Sequence, residues 1–306
     1  MKSSIWKKGI ICLSTVLLLV CPMGEISKTA YTVNAQETDS ETENSSIKSI
    51  LLIGQDKREG QSRQRSDSMI LATLDKDHKT ISLTSFMRDL YVAIPGHSST
   101  RLNAAYVYGG MELLDETLTQ NFGVQIDGNV EVDFEVFQIL VDKVGGIDLE
   151  LTQAEADYIC GRDQSVLYPQ PLRTDWELQA GMNHLDGEQA LIHARNRSIG
   201  NSDYRRTERQ QEVLMAAFQK VKDLSAFSIA GLVKDVLPLI TTDLSFTEII
   251  GYAMDVMSIG TGEIATYRVP TDGAYTPQTI SGMQVLVPNL EQNRKYLQNV
   301  LYHAEA

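Results

Sequence analysis

The stretch Ile50-Leu51-Leu52-Ile53-Gly54-Gln55-Asp56 decides how this chain folds. Four consecutive apolar residues that end at a glycine are typical of a short, fully buried β-strand. Two more strand-like stretches follow at 68–74 and 80–84, and the polar turn at 75–78 joins them. Because so short a turn reverses the chain, the sequence predicts that the sheet starts with antiparallel strands.

Helix and strand patterns alternate through the rest of the chain. Helices are predicted at 111–122, at 134–144, after Asp186, after Asp203, after Ser245 and at 289–302, and strands at 130–133, 147–151, 263–269 and 283–287. The strand at 147–151 directly follows a helix, as in an α/β unit. This alternation predicts a single α/β domain.

The N-terminal segment 1–35 has the composition of an export signal. Lys7 and Lys8 precede the apolar run 9–20, which is the order found in a secretory leader. The run is shorter than the roughly 20 residues that span a bilayer, and the small residues at 33–35 offer a cleavage site only far beyond its end. We therefore predict a signal anchor, with a cleaved signal peptide as the alternative. The lysines place the N-terminus on the cytoplasmic side of the membrane and everything after the apolar run on the outer side.

A polar tract separates this segment from the first strand. Residues 36–46 are rich in Glu, Ser and Thr and have no apolar periodicity, so we predict a linker there. No second linker or internal repeat follows. The folded domain is therefore expected to span 47–306.

Composition and motifs exclude several kinds of function. The formal net charge of −13 argues against nucleic acid as a partner. Cys160 is the only cysteine after the N-terminal segment, so no disulfide can form within the folded domain. The five histidines have no metal-ligand spacing, and motifs for nucleotide binding or a nucleophilic serine are absent from the sequence.

Arginine is concentrated in two windows of the sequence. Five of the 14 arginines lie between Arg58 and Arg101, and five more lie between Arg195 and Arg209, where there is no lysine. Guanidinium groups bind phosphate oxygens through paired hydrogen bonds, whereas lysine serves where only solubility is needed. The segregation of the two residue types therefore predicts a pyrophosphate site.

Two aspartates flank the loop between the first two predicted strands. Asp56 follows the first strand and Asp67 precedes the second, so both carboxylates are expected at one edge of the sheet. Water and phosphate oxygens could complete the coordination of Mg²⁺ between two such carboxylates. The alternative is that both are ordinary loop residues in Asx turns.

The individual arginines have structural explanations as well. Arg88 follows the third strand, where a surface salt bridge would account for it, and Arg195 and Arg197 stand at a helix end that favours cations. Arg206 and Arg209 share a helix face near the helix start, where a bound anion would offset the unfavourable dipole. Pairing with nearby carboxylates is the alternative.

Two helix faces are apolar enough to form either core or a ligand slot. They comprise Phe134 to Val144 and Val213 to Val221. Core packing accounts for both faces, and a slot between them that accepts a lipid tail is the alternative.

These motifs together resemble the LytR-CpsA-Psr family, which attaches glycopolymers to the bacterial cell wall. The resemblance covers nearly all of 47–302 and rests on Leu51-Leu52-Ile53-Gly54-Gln55-Asp56, Arg65-Ser66-Asp67-Ser68-Met69, Ser85-Phe86-Met87-Arg88-Asp89, Arg101-Leu102-Asn103-Ala104-Ala105-Tyr106 with Gly109-Gly110, Leu185-Asp186-Gly187-Glu188-Gln189-Ala190, Ala194-Arg195-Asn196-Arg197 and 203–210. The chain departs from the family where Phe86-Met87 replaces Ile-Pro, where Arg101 replaces lysine and where Arg205 replaces a frequent glycine. The last departure leaves open which of Arg205, Arg206 and Arg209 reaches phosphate.

The resemblance implies a mixed β-sheet flanked by helices, with an apolar tunnel for a polyprenyl tail. It also implies a Mg²⁺-dependent phosphotransferase at the extracytoplasmic face of the cell membrane. Such an enzyme moves an anionic glycopolymer, of the teichoic acid or capsule type, from polyprenyl diphosphate to a sugar hydroxyl of peptidoglycan. Hydrolysis of the polyprenyl diphosphate, or binding of anionic wall lipid or polymer without catalysis, are the alternative functions.

The resemblance also assigns roles to particular residues. Asp56 and Asp67 would hold Mg²⁺. Arg88 and Asp89 are the candidate catalytic residues, with a metal-ligand aspartate as the alternative general base. The diphosphate-binding set would be Arg65, Arg88, Arg195, Arg197, Arg206 and Arg209.

Overall fold

A mixed β-sheet of six strands lies at the centre of the described part of the chain. The computed structural model describes residues 46–55, 66–200, 202–222, 224–260 and 264–304, all within the compact unit Asn44–Ala306. The strands are β1 (Ile47–Gln55), β2 (Ser66–Asp75), β3 (Thr80–Phe86), β4 (Tyr91–Val92), β5 (Thr100–Arg101), β6 (Gly128–Asp133), β7 (Ile147–Leu151), β8 (Gly181–Leu185), β9 (Thr241–Thr242), β10 (Ile264–Val269), β11 (Tyr275–Ile280) and β12 (Met283–Pro288). The helices are α1 (Asn103–Phe122), α2 (Phe134–Lys143), α3 (Gln153–Ile159), α4 (Gly187–Arg195), α5 (Ser202–Lys222), α6 (Ala226–Val236), α7 (Phe246–Ile259) and α8 (Leu290–Tyr302).

Four strands of the central sheet end at the same edge. The strand order is β10-β3-β2-β1-β6-β9. The pairs β1–β2 and β2–β3 are antiparallel, which confirms the predicted start of the sheet, whereas β1–β6 and β3–β10 are parallel. The C-terminal ends of β1, β3, β6 and β10 therefore lie together with the start of β2, at the kind of edge where α/β sheets bind ligands.

Alternate apolar residues of β1 pack on opposite faces of this sheet. Leu51 and Ile53 of β1 pack in a cluster that includes Leu114 of α1 and Leu297 of α8. Leu52, which points to the opposite face, packs in a cluster with residues of β2, β3 and α5. Because side chains alternate along a strand, the apolar run of β1 has both of its faces covered by helices.

Capping residues begin the helices close to the predicted positions. Asp186 and Ser245 each form a capping box at the start of α4 and α7. Asp203 was predicted to precede its helix but lies in the first turn of α5. The strand β7 also differs from the α/β unit expected there, because it pairs antiparallel with β8 in a separate hairpin. A hairpin partner about 30 residues downstream cannot be recognised from local periodicity.

The predicted N-terminal elements lie outside the described residues. They are the signal anchor or signal peptide at 1–35 and all but the last residue of the linker at 36–46. Within the described ranges, no helix combines the length and apolar character needed to cross a bilayer.

Candidate active site

The converging strand ends bring Arg88 and Asp67 together. Arg88 comes just after β3 and Asp67 is the second residue of β2. The Arg88 Nη1 donates a hydrogen bond to Asp67 Oδ1 at 2.9 Å, although the two residues are 21 positions apart. Asp56 and Arg65, the other predicted members from this loop, lie outside the described residues.

Arg88 is held by carboxylates on several sides. Its Nε lies 3.6 Å from Asp89 Oδ2, and its Nη2 lies 3.8 Å from Asp203 Oδ1. Burial lowers the pKa of the Arg88 guanidinium, but the charges of Asp89, Asp67 and Asp203 outweigh burial and raise it. Arg88 therefore stays charged and fixed in direction at the floor of a small polar pocket.

Asp203 is shared by three arginines. Its Oδ1 lies 3.2 Å from Arg206 Nη1, 3.8 Å from Arg88 Nη2 and 3.9 Å from Arg197 Nε. One carboxylate thus stands among three guanidinium groups that come from different parts of the chain. Asp67 and Asp89 also pair with Arg88, and Arg101 pairs with Asp89, so four guanidinium groups face three carboxylates in this network. This excess of positive charge favours a further anion.

Unsatisfied donors on Arg206 point to the same conclusion. The side chain of Arg206 is only 7% exposed, yet its Nε and Nη1 make no hydrogen bond to protein. The Nε of Arg88 is likewise buried without a hydrogen bond. Leaving a buried charged donor unsatisfied costs at least about 1–3 kcal/mol. A phosphate oxygen in the pocket would supply the missing acceptors.

Arg195 and Arg197 lie on either side of the end of α4. The helix ends at Arg195, and the C-cap residue Asn196 has extended backbone angles, as a shared target for the two arginines requires. The Arg195 guanidinium lies over the ring of Phe134, 4.0 Å from its centroid. Arg197 turns instead toward Asp203.

Arg209 does not belong to this cluster, contrary to the sequence-based assignment. It is fully buried, and its Nε donates to Glu155 Oε1 at 2.9 Å. Its Nη1 and Nη2 donate to the carbonyl oxygens of Asn196 and Ile199, each at 3.1 Å. Each nitrogen is occupied by the protein, so Arg209 holds the loop after α4 and is left out of the proposed diphosphate site.

The neighbouring Arg205 is also directed elsewhere. It forms ion pairs with Glu155, Glu208 and Glu212. Arg206 is therefore the member of the trio that lines the polar pocket.

Asp89 lies at the rim of the pocket between two arginines. Its Oδ1 is 3.3 Å from the Nε of Arg101, and its Oδ2 contacts Arg88. The Arg101 Nη2 also donates to the carbonyl oxygen of Gln284 at 2.5 Å. Asp89 thereby fixes Arg88 relative to β12, and it lines both the polar pocket and a broad groove beside it.

An apolar cleft adjoins the polar pocket. It has a volume of about 100 Å³ and runs between the sheet and helices α2, α4 and α5. Its walls include Leu52, Phe137 and Leu214, and Arg195 stands among its lining residues. The apolar faces of α2 and α5 thus enclose a slot as well as core. Ser68, Ile70 and Gln210 line both the cleft and the polar pocket.

Sequence reasoning missed two residues that organise the site. The sequence predicts only that Asp203 begins a helix, and its contacts with Arg88 and Arg197 depend on the tertiary fold. Glu155 lies 54 residues before Arg209, and no local pattern connects them. The spacing of Asp203 and Arg206 was the one available signal.

A sheet edge that gathers arginines and aspartates next to an apolar cleft defines a class of α/β protein with an anion-binding surface beside an apolar one. Residues 22–299 match the LytR_cpsA_psr family. The chain belongs to this family, and the resemblance predicted from its motifs is confirmed.

This chain is similar in sequence and in structure to proteins of the same family. The chain is 30% identical over 262 residues to the polyisoprenyl-teichoic acid–peptidoglycan teichoic acid transferase TagT of Bacillus subtilis (strain 168), covering 83% of this chain and 76% of TagT. The structure of TagT bound to LIIa-WTA matches with a TM-score of 0.68 and 28% identity over 84% of this chain and 91% of that one. A structure of the family protein YwtF (TagT) with bound octaprenyl pyrophosphate lipid matches with a TM-score of 0.63 and 26% identity, over 84% and 90% of the two chains.

Proposed function

We propose that this protein transfers an anionic glycopolymer of the teichoic acid type from polyprenyl diphosphate to a sugar hydroxyl of peptidoglycan. The observation that carries the proposal is the cluster of Arg88, Arg197 and Arg206 around Asp203, which shares a wall with the apolar cleft. A diphosphate joined to an apolar tail needs these two surfaces side by side. The names and bound ligands of the TagT relatives support the same substrate class.

The arginines would stabilise the charge of the transferring phosphoryl group. The acceptor hydroxyl oxygen attacks the phosphorus next to the glycan, and the bond from this phosphorus to the bridging oxygen breaks. Polyprenyl phosphate then leaves, and the glycan is joined to peptidoglycan by a phosphodiester. Because phosphoryl transfer depends mainly on positioning and charge stabilisation, Arg88, Arg197 and Arg206 supply most of what it requires.

Asp89 is our candidate for the group that accepts the proton of the attacking hydroxyl. It lines both the polar pocket and the adjoining groove, which has a volume of about 470 Å³ and includes Tyr204, Gln278 and Gln284. This groove is open enough for a saccharide strand, so we assign the peptidoglycan acceptor to it. Asp67 is the alternative proton acceptor.

The donor set at the pocket fits Mg²⁺. Asp67 and Asp203 both line the pocket, and the Oδ1 of Asp203 is buried without a hydrogen bond. These hard oxygen donors are the type that Mg²⁺ prefers. We propose that Asp67, together with Asp56, would hold the ion. When bound, it would add positive charge next to the transferring group.

The apolar cleft would take the first part of the polyprenyl tail. Its volume of about 100 Å³ is smaller than the roughly 150 Å³ of an engineered protein cavity that binds benzene. We therefore expect α2 and α5 to move apart when the tail binds. Arg195, stacked on Phe134 at the cleft, would lie between the tail and the diphosphate.

The proposed location follows from the substrate. Polyprenyl-linked wall precursors and peptidoglycan meet at the extracytoplasmic face of the cell membrane. We propose that the segment 1–35 anchors the chain there, with a cleaved leader as the alternative. The linker 36–46 would then join the anchor to a catalytic domain at 47–306.

A release assay tests the function. Full-length protein in detergent is mixed with a polyprenyl-diphosphate-linked glycan, with and without peptidoglycan, and polyprenyl phosphate is measured. We expect release that requires both peptidoglycan and Mg²⁺. Arg88→Ala and Arg206→Ala should reduce release by at least about a hundredfold, as expected for lost transition-state contacts. Arg173→Ala, which removes an ion pair with Glu188 away from the pocket, is the matched control and should retain activity.

The other outcomes of this assay identify the alternatives. Release that proceeds equally without peptidoglycan would indicate a hydrolase. Binding of the lipid-linked glycan without any release, and without dependence on Mg²⁺, Asp56 or Asp67, would indicate a non-catalytic binder. Full activity in Arg88→Ala would contradict the site assignment itself.

A further inference from the structure

A second cluster of ionisable side chains lies at the other end of β2. Asp75 ends β2, His78 lies in the turn before β3, and His303 follows α8. One potential ligand atom from each lies within 4.8 Å of the others. At about 3.3 Å per strand residue, Asp75 is about 26 Å from Asp67, so this cluster is separate from the arginine site.

Both imidazoles converge on a single carboxylate oxygen. The Nδ1 of His78 lies 2.8 Å from Asp75 Oδ2, and the Nε2 of His303 lies 3.0 Å from the same atom. Two ligand atoms that each lie about 2.0–2.1 Å from a tetrahedral zinc ion are separated by about 3.3–3.4 Å. The two nitrogens lie closer than that to Asp75 Oδ2, at hydrogen-bond distance, so the exposed imidazoles would move outward by about 0.3–0.6 Å to admit an ion.

The carboxylate is held in place by the turn. The side chain of Asp75 is 3% exposed, and its Oδ1 accepts hydrogen bonds from the backbone N–H groups of Asp77 and His78, each at 3.0 Å. The oxygen that faces the histidines is thus held in one orientation by the backbone of the turn.

The histidines are accessible from solvent and well placed to complete the site. Their side chains are 57% and 41% exposed for His78 and His303 respectively, and the ring centroids are 4.0 Å apart. His303 adopts a left-handed backbone conformation, with φ of 53°. This conformation ends α8 and returns the side chain toward Asp75.

We infer that Asp75, His78 and His303 bind a divalent transition-metal ion of the zinc class. Two imidazole nitrogens and one carboxylate oxygen are donors that zinc favours, and water would fill the fourth position. Mg²⁺, which requires oxygen ligands, would bind poorly here. The bound ion joins the turn between β2 and β3 to the C-terminal end of α8. Binding should therefore stabilise the contact between this turn and the C-terminal end of α8.

Zinc titration tests the inference without any reference to transfer activity. Full-length protein in detergent is treated with chelator, dialysed and titrated with zinc chloride in a calorimeter. We expect saturation at one ion per chain and a rise in the thermal unfolding midpoint. His78→Ala and His303→Ala should each weaken zinc binding by at least about tenfold. Both residues are well exposed, so circular dichroism should show that the variants fold normally.

His184→Ala is the matched control. His184 also pairs with a carboxylate, since its Nδ1 lies 2.7 Å from Asp148 Oδ1, but it does not belong to the three-ligand cluster. Its removal should leave zinc binding unchanged. The inference is wrong if the wild-type chain shows no saturable binding, or if either His78→Ala or His303→Ala binds zinc as tightly as the wild type.

Discussion

The buried ion pair between Glu155 and Arg209 offers a quantitative test of how the arginine site is supported. The two side chains are 4% and 1% exposed. Burial raises the pKa of Glu155, but hydrogen bonds from the backbone and hydroxyl of Thr152 and from Arg209 outweigh burial and lower it to about 2. Glu155→Gln keeps the shape of this side chain but removes its charge and one of its two acceptor oxygens, so Arg209 is left as an uncompensated buried cation.

The pKa difference gives the expected magnitude. Relative to the ordinary pKa of 4.5, a decrease of about 2.5 units corresponds to about 3 kcal/mol at 1.36 kcal/mol per unit. This value combines the hydrogen bonds from Thr152 and Arg209 less the effect of burial, and it is of the same order as the roughly 3–5 kcal/mol that breaking a buried ion pair costs. Because the folded-state pKa of this acid is depressed, its contribution is complete above pH 4.5 and is lost as the pH falls through about 2.

Urea unfolding followed by circular dichroism measures this contribution. At pH 7, Glu155→Gln should lower the free energy of unfolding by about 3 kcal/mol, and the difference from wild type should shrink as the pH falls below 4.5. The control Glu208→Gln removes a charge that is 49% exposed and pairs with Arg205, so it should cost at most about 1 kcal/mol. A loss of less than about 1 kcal/mol in Glu155→Gln would refute the argument that this pair supports the loop after α4.

The remaining predictions concern pH dependence, the cleft and the pocket. Burial raises the pKa of Asp115 to about 6, so the folded state binds this proton more tightly, and stability should fall as the pH rises from about 4 to about 6. Asp115→Asn should remove that decline and raise the free energy of unfolding at pH 8 by about 1–2 kcal/mol, after allowance for solvent screening. Urea unfolding at pH 4.5 and at pH 8 measures this difference. Leu214→Trp should fill the apolar cleft, so that transfer from a long-chain polyprenyl donor is abolished while a short-chain donor still reacts. The control Met254→Trp changes a side chain that is 43% exposed and lies away from the cleft, and it should leave the transfer rates with both donors unchanged. Arg206→Lys should reduce the rate of polyprenyl phosphate release at least about tenfold, because an ammonium cannot replace the guanidinium fork; an unchanged rate would place Arg206 outside the diphosphate site.

Local patterns predicted the elements that carry the site. The apolar run of β1, the turn before β3 and the capping residues of α4 and α7 act over a few neighbouring positions, and each is confirmed in the structure. Weakly amphipathic or very short elements, such as α3 and β8, were not predicted. Their stability comes from packing and strand pairing with distant segments.

The sequence by itself determined which residue types the site would use. The window from Arg195 to Arg209 contains five arginines and no lysine, and Asp67 stands near the start of β2. Guanidinium groups suit phosphate oxygens, and carboxylates suit Mg²⁺. Only the tertiary structure decided which of these arginines and aspartates contact one another and which line the pocket. It directs Arg206 into the pocket and Arg209 into the core, and it gathers three arginines around Asp203. The physical reason is that burial and ion pairing depend on distances between segments far apart in the chain, and these distances exist only once the sheet and its helices have packed together.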